Sequence, residues 1–342
     1  MSAWRGSRPL WLDTNRAFQP LGFSMSSSVA SLSGKPLVTP QRAMFAMICF
    51  VWGTTWLGMK IGIATVPPAL FSGLRWTVAG AVLLAFRHWR GEIVRPPPRL
   101  WLRLLGVSVL LITLNQVIQL YGLKYITAGL AAVISSALTP VALLGFSVAL
   151  GQERFSLRQL GALGLGVLGV ATLFGPAALA GTLDVREVLG ASGVTVGCLC
   201  YCLGSVMTRP MMRTLAPVQL AGLTDLLGGV VLVAASLAVE PGSWAALDFG
   251  WGWDAILAWF YLLIPGSLLS TTAYFLLVRD WGASRPGTYA FISPIIAVAV
   301  GWQFFGEKLD WGDAVGMTLM LGGAALALRP AQPAPASAVT TA

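Results

Sequence analysis

The sequence predicts an all-α membrane protein of ten transmembrane helices in two inverted five-helix repeats. Three observations predict it. The chain of 342 residues is 56% hydrophobic and only 10% charged, with a mean hydropathy of +0.76. A soluble domain carries roughly 25% charged residues, because its surface faces water. Apolar runs long enough to cross a bilayer recur along the chain, and the basic residues sort to one side of them.

A helix needs about 20 apolar residues to cross about 30 Å of hydrocarbon. Such runs fall at 43–63, 67–87, 102–122, 127–150, 159–175, 188–207, 216–238, 255–277, 285–305 and 312–328. The first two abut at Val66-Pro67-Pro68, where the paired prolines predict a turn. With the N-terminus inside, the inner segments hold 17 Lys and Arg residues. The outer segments hold only Lys124, Arg186 and Lys308, and Lys60 and Arg75 lie within spans. That asymmetry follows the positive-inside rule and sets both termini on the cytoplasmic side. The segment 239–254 has no Lys or Arg, carries Glu240, Asp248 and Asp254, and contributes Trp244, Trp251 and Trp253. It is expected to be an external loop with interfacial aromatic anchors.

Residues 1–42 form a Ser-rich tail without an apolar run, and 329–342 a Pro/Ala-rich one; both are expected to be disordered. Met25 and Met44 are alternative start positions. The net charge of +9 is spread over the inner loops and forms no patch, which argues against nucleic acid as a partner. Cys49, Cys198, Cys200 and Cys202 all lie in apolar runs, and their spacing is not that of a zinc or redox site. They are expected to be reduced and buried, with Cys198 and Cys202 on one helix face.

The two halves, 43–175 and 188–328, resemble each other at fixed offsets. At a shift of 149, Trp52 meets Tyr201, Lys60 meets Arg209 and Pro68 meets Pro217. At a shift of 154, Thr139-Pro140 meets Ser293-Pro294, Glu153 meets Glu307 and Arg154 meets Lys308. An odd number of spans per repeat turns the second copy upside down. Inverted repeats of this kind let transporters alternate access around a midplane site.

Val51-Trp52-Gly53-Thr54-Thr55-Trp56, then Pro67-Pro68 and Leu74-Arg75-Trp76, resemble the start of EamA-type members of the drug/metabolite transporter superfamily. Each half also ends in a similar pattern: a mid-helix Pro140 or Pro294, then Glu153-Arg154 or Gly306-Glu307-Lys308, then a Gly-rich span. Gly151-Gln152-Glu153 departs from it, because the family places Gly directly before Glu. The resemblance covers 43–328 and implies ten helices in two inverted repeats. It also implies substrates such as amino acids, other metabolites or drugs, often exported.

Charge within the membrane is the best pointer to a site, since each such residue costs about 2.5–3.5 kcal/mol on insertion scales. Arg75 lies about eight residues into the second span, roughly 12 Å deep, and Asp225 similarly deep in the seventh. Arg75 reads as a structural ion pair, as a helix-to-carbonyl clamp or as the partner of a substrate carboxylate. Asp225 reads as structural, as a protonatable coupling group or as the partner of an amine. Trp52 with Trp56, and Asn115 with Gln119, stand at i, i+4 and so share faces. Together with Tyr201 and Tyr289 these residues form the expected substrate-binding set. Lys60, Tyr121 and Ser293 are secondary candidates, and Ser135, Ser136 and Tyr274 add neutral hydrogen bonds. Pro140, Pro265-Gly266 and Pro294 are expected to interrupt their helices and turn free carbonyls toward a cavity. Glu153 and Glu307 are expected to lock loops.

Enzyme chemistry finds no constellation. The only histidine, His88, sits in a basic loop, Asp225 has no second membrane aspartate, and no Walker A pattern occurs. The expectation is therefore a secondary transporter, an exporter of small solutes across the bacterial inner membrane, with lipid and a solute, and protons, as its partners. It calls for no cofactor and no metal. A passive channel, receptor or intramembrane enzyme is the alternative.

Overall fold

The computed structural model describes residues 39–126, 128–154, 156–179, 184–305 and 311–328. The expected tails, apart from residues 39–42, and the pair Glu307-Lys308 lie outside the described residues. Among these the secondary structure is all helical. In chain order the helices are α1 (Pro40–Gly62), α2 (Pro68–Trp89), α3 (Pro98–Leu123), α4 (Ala128–Ala149) and α5 (Leu157–Leu179). There follow α6 (Val185–Met211), α7 (Pro217–Val239), α8 (Trp253–Trp281), α9 (Tyr289–Phe305) and α10 (Trp311–Leu328). Six of them, α1, α2, α3, α6, α7 and α8, are long and apolar enough to cross a membrane. Shorter apolar stretches lie in Ile134–Ala149, Leu157–Thr172 and Ala314–Leu328.

Local chemistry sets where the helices begin. Thr39 caps α1 by accepting from the N–H of Arg42 at 3.3 Å. Asp184 and Glu187 form a reciprocal capping box at the start of α6. Pro68, Pro98 and Pro217 open α2, α3 and α7, where a missing N–H leaves nothing unbonded. The expected interruptions at proline take a different form. Pro140 and Pro294 stand inside continuous helices, because one lost N–H bond is tolerated when the neighbouring turns are packed. Pro265 instead lies in a stretch of wider π-helical turns, Leu262–Thr271 in α8. A second such stretch, Val109–Leu114, occupies the middle of α3. Wide turns inside a helix are rare and concentrate at functional sites.

The packing repeats itself between the halves. α2 lies against α7 and α5 against α10. α3 packs on α6 as α1 packs on α8, and α4 packs on α6 as α9 packs on α1. Exchanging each helix of the first five with its counterpart in the second five leaves this pattern unchanged. Lipid offers little hydrophobic drive between helices, so close packing of small residues does the work. A Cβ on Gly80 would stand 2.3 Å from the N of Leu226, and one on Gly229 2.4 Å from the N of Thr77, so α2 and α7 meet backbone to backbone. Gly169 and Gly316 bring α5 and α10 together in the same way, as Gly122 and Gly190 do for α3 and α6.

Two buried networks tie loops to these rods. Glu240, at the end of α7, accepts the N–H groups of Ala69 and Leu70 and the Tyr121 hydroxyl. It is thus a cap for α2, buried to 8% exposure, and not a solvated loop acid. Trp251 is buried beside Phe71, whereas Trp244 and Trp253 are exposed as interfacial anchors require. Glu153 accepts from the Ser284 hydroxyl and backbone, so it locks the segment between α8 and α9. Cys49, Cys198 and Cys202 are buried free thiols, and Cys200 is half-buried.

Candidate functional site

A cavity of about 150 Å³ lies between α1, α2, α3, α4, α6, α8 and α9, so both halves wall it. Trp52 and Trp56 reach it from one face of α1, and Asn115 and Gln119 from one face of α3. Tyr201 comes from α6, Tyr289 and Ser293 from α9, and Ser135 and Ser136 from α4. Arg75 enters from α2 and is the charged residue of the lining.

Four rings close one side of the cavity. Trp52 stands edge-on to Tyr289 at 4.5 Å between centroids, tilted to Tyr274 at 5.3 Å and edge-on to Tyr201 at 6.5 Å. These separations suit the aromatic quadrupole. The Tyr274 hydroxyl bonds the Ser205 hydroxyl at 2.7 Å. The Trp52 indole donates to the carbonyl of Gly266 at 3.4 Å. That carbonyl belongs to the wide turns of α8, which continue the helix past Pro265-Gly266, so it is an acceptor already used by Trp52.

The lining also carries polar groups. Arg75 is 4% exposed and its fork is held by neutral groups. Nη1 donates to Ser267 Oγ at 2.7 Å, and Nη2 donates to Gln116 Oε1 at 3.2 Å and to Ser72 Oγ at 3.3 Å. The guanidinium carbon also stands 4.5 Å from the centroid of the Trp76 ring. Arg75 Nε, Asn115 Oδ1, Ser135 Oγ, Tyr201 Oη and Thr271 Oγ1 are buried without a partner, and all five residues line the cavity. Buried polar atoms are nearly always bonded, so orphans converging on one space mark a place where something polar docks.

Three sequence candidates lie elsewhere. Lys60 donates to the carbonyls of Leu123 and Ile126 at 3.1 and 3.3 Å, where its charge suits the C-terminal end of α3. Tyr121 belongs to the Glu240 network. Asp225 is fully buried in α7, on the face whose next turn, at Gly228, packs on Ile112 of α3. It forms no ion pair with Arg75 within 4.0 Å. Among the described residues neither of its carboxyl oxygens has a partner.

Ser72, Gln116 and Ser267, which position Arg75, carried no sequence signal of their own except that Ser72 stands one turn before Arg75. Gln116 follows Asn115 directly, and adjacent residues of an α-helix diverge by about 100°. Both line the cavity all the same, Gln116 on the side of Arg75.

The comparisons agree on the type of protein. The EamA-like transporter family matches residues 42–175 and again residues 188–329. The inner membrane transporter YedA of Escherichia coli (strain K12) is 30% identical over 274 residues, covering 79% of this chain and 85% of YedA. The transporter YvbV of Bacillus subtilis (strain 168) is 28% identical over 284 residues, covering 83% and 90%. Protein PagO of Salmonella typhimurium is 24% identical over 267 residues, covering 78% and 86%. One solved crystal structure has the same fold, with a TM-score of 0.68 at 20% identity over 84% of this chain and 96% of that one. The chain carries two copies of one repeat, is a multi-pass membrane protein, and belongs to the EamA-like transporter family.

Proposed function

We propose that the protein is a secondary transporter that exports small metabolites, amino acids or drug-like solutes among them, across the bacterial inner membrane by alternating access. The observation that carries this reading is the cavity between the two halves, lined both by a cluster of aromatic rings and by unpartnered polar atoms. Its volume is near that of an engineered cavity that admits benzene, about 150 Å³. Arg75 binds an anionic group on the solute, and Trp52, Trp56, Tyr201 and Tyr289 pack its apolar body. The names of the relatives support a transporter and an inner-membrane location.

The same reading takes the helices as ten spans in two inverted five-helix repeats, 43–175 and 188–328, with both termini cytoplasmic and 239–254 external. The swap-invariant packing and the paired wide turns in α3 and α8 support the repeat. Counterflow in proteoliposomes tests the function. Preloaded solute accelerates uptake of labelled solute through a carrier, while a channel gives no such acceleration. Solutes for it come from a ligand-stabilisation screen, since a ligand that binds only the fold raises its melting temperature.

A further inference from the structure

Arg75 and Asp225 stand on α2 and α7, which pack backbone to backbone, yet they form no ion pair within 4.0 Å, and each is left in an unusual condition. The guanidinium spends its Nη hydrogen bonds on Ser72, Gln116 and Ser267, all uncharged. The Asp225 carboxyl is 0% exposed and meets no donor. Helices α2, α3 and α8 pack on α7, and Arg75 of α2 is the charged group they bring to Asp225 among the described residues. A buried carboxylate without a donor is strongly disfavoured, whereas a buried carboxylic acid is not. A buried guanidinium without an anion is disfavoured for the same reason. One arrangement relieves both: a proton on Asp225 and an anion at Arg75.

We infer that the cavity takes its solute as an anion together with one proton, held by Asp225, so that anion and proton cross the membrane in the same direction. The inference rests on the cavity being the solute site. The charges balance in both states that cross. Loaded, the positive Arg75 and the anion cancel and Asp225 is neutral. Unloaded, the proton has left an Asp225 oxygen, and the carboxylate cancels Arg75 in place of the anion. The two half-loaded states, anion without proton and proton without anion, carry a net charge at mid-membrane and are disfavoured from crossing. Loss of the proton therefore weakens the hold on the anion, and loss of the anion favours loss of the proton. Net flux follows the sum of the anion and proton gradients, so export runs when the outward anion gradient exceeds the inward proton gradient.

Benzenesulfonate is a suitable probe. It joins one aromatic ring to an anion that fits a guanidinium fork, and as a strong acid it carries no proton of its own through lipid. The full chain is reconstituted in liposomes with a pH dye trapped inside. An outward gradient of labelled benzenesulfonate is expected to make the lumen more alkaline, one proton leaving per anion. An acidic exterior is expected to drive accumulation of the anion. Asp225→Asn cannot discharge Arg75 when the anion leaves. It is expected to keep exchange of labelled for unlabelled anion while losing net, proton-linked flux. Wild-type flux of benzenesulfonate with no proton movement, or with protons moving the opposite way, overturns the coupling and leaves the cavity reading standing. If the wild-type protein neither moves benzenesulfonate nor shows a change in tryptophan fluorescence with it, the anion site falls, and this inference with it.

Discussion

Glu240 accepts the backbone N–H of Leu70 at 3.1 Å, so a side chain from the end of α7 caps the first turn of α2. The carboxylate also takes the Ala69 N–H and the hydroxyls of Tyr121 and Ser236. Hydrogen bonds to a charged group contribute about 1.5–3 kcal/mol each, and a lost cap about 1 kcal/mol. Glu240→Ala is predicted to lower the melting temperature of the detergent-purified protein clearly, and Glu240→Gln to lower it less. Equal melting temperatures for all three proteins would show that the cap is dispensable.

Arg75 presents a planar fork that Ser267 and Gln116 hold in place. Arg75→Ala is predicted to reduce counterflow about ten- to a hundredfold, the equivalent of one or two lost charged hydrogen bonds. Arg75→Lys keeps a point charge without the fork and should fall between. Undiminished counterflow in a folded Arg75→Ala protein would make the residue structural.

The backbone contacts of α2 with α7 leave no room for a methyl group. Gly80→Ala would press a Cβ to 2.3 Å from the Leu226 nitrogen and 2.6 Å from the Gly222 carbonyl oxygen. Folded yield, read by size-exclusion of detergent extracts, should drop sharply. Gly164→Ala is the control, since nothing stands within 4 Å of its added carbon, and its yield should match the parent. A normal yield for Gly80→Ala would mean that this seam opens at little cost.

Topology is testable by labelling single cysteines in intact cells. Ser243 is fully buried and bonded to Ser236, so Ala245, which is exposed in the same segment, is the better position. An impermeant thiol reagent is predicted to label Ala245→Cys and to leave Ser337→Cys silent until the membrane is opened. The reverse pattern would invert the orientation.

Much of the cavity was legible in the sequence because helical spacing maps directly onto faces. Trp52 with Trp56 and Asn115 with Gln119 read as shared faces, and all four line the cavity. Arg75 was legible as a charge that lipid alone would not tolerate. The residues that hold it were not: Ser267 lies in wide turns that break the 3.6-residue period, and Gln116 sits about 100° round α3 from Asn115, off the face that Asn115 and Gln119 share. Glu240 was legible only as an acid of the 239–254 segment, since nothing in the local sequence says that the first turn of α2 lies beside it. Asp225 was recognised as a buried charge, but its place behind the lining depends on the α2–α7 seam, whose glycines carry no pattern that identifies a partner.

The seams that the repeat pairs together are not equally stiff. α3 meets α6 through Gly122, Gly190 and Gly204, with backbone atoms in near contact. The counterpart seam, α1 on α8, is padded by side chains: Gly58 faces the Leu262 side chain, and Trp52 reaches across to Gly266. Interleaved side chains can change rotamer and slide, whereas touching backbones cannot. Spin labels across each seam would record a broad distance distribution for α1–α8 and a narrow one for α3–α6, and equal widths would refute the difference. A molecule whose blueprint is symmetric is thus built in unequal materials, backbone against backbone in one leaf and side chain against side chain in the other, and the expected motion is weighted to the side of Trp52.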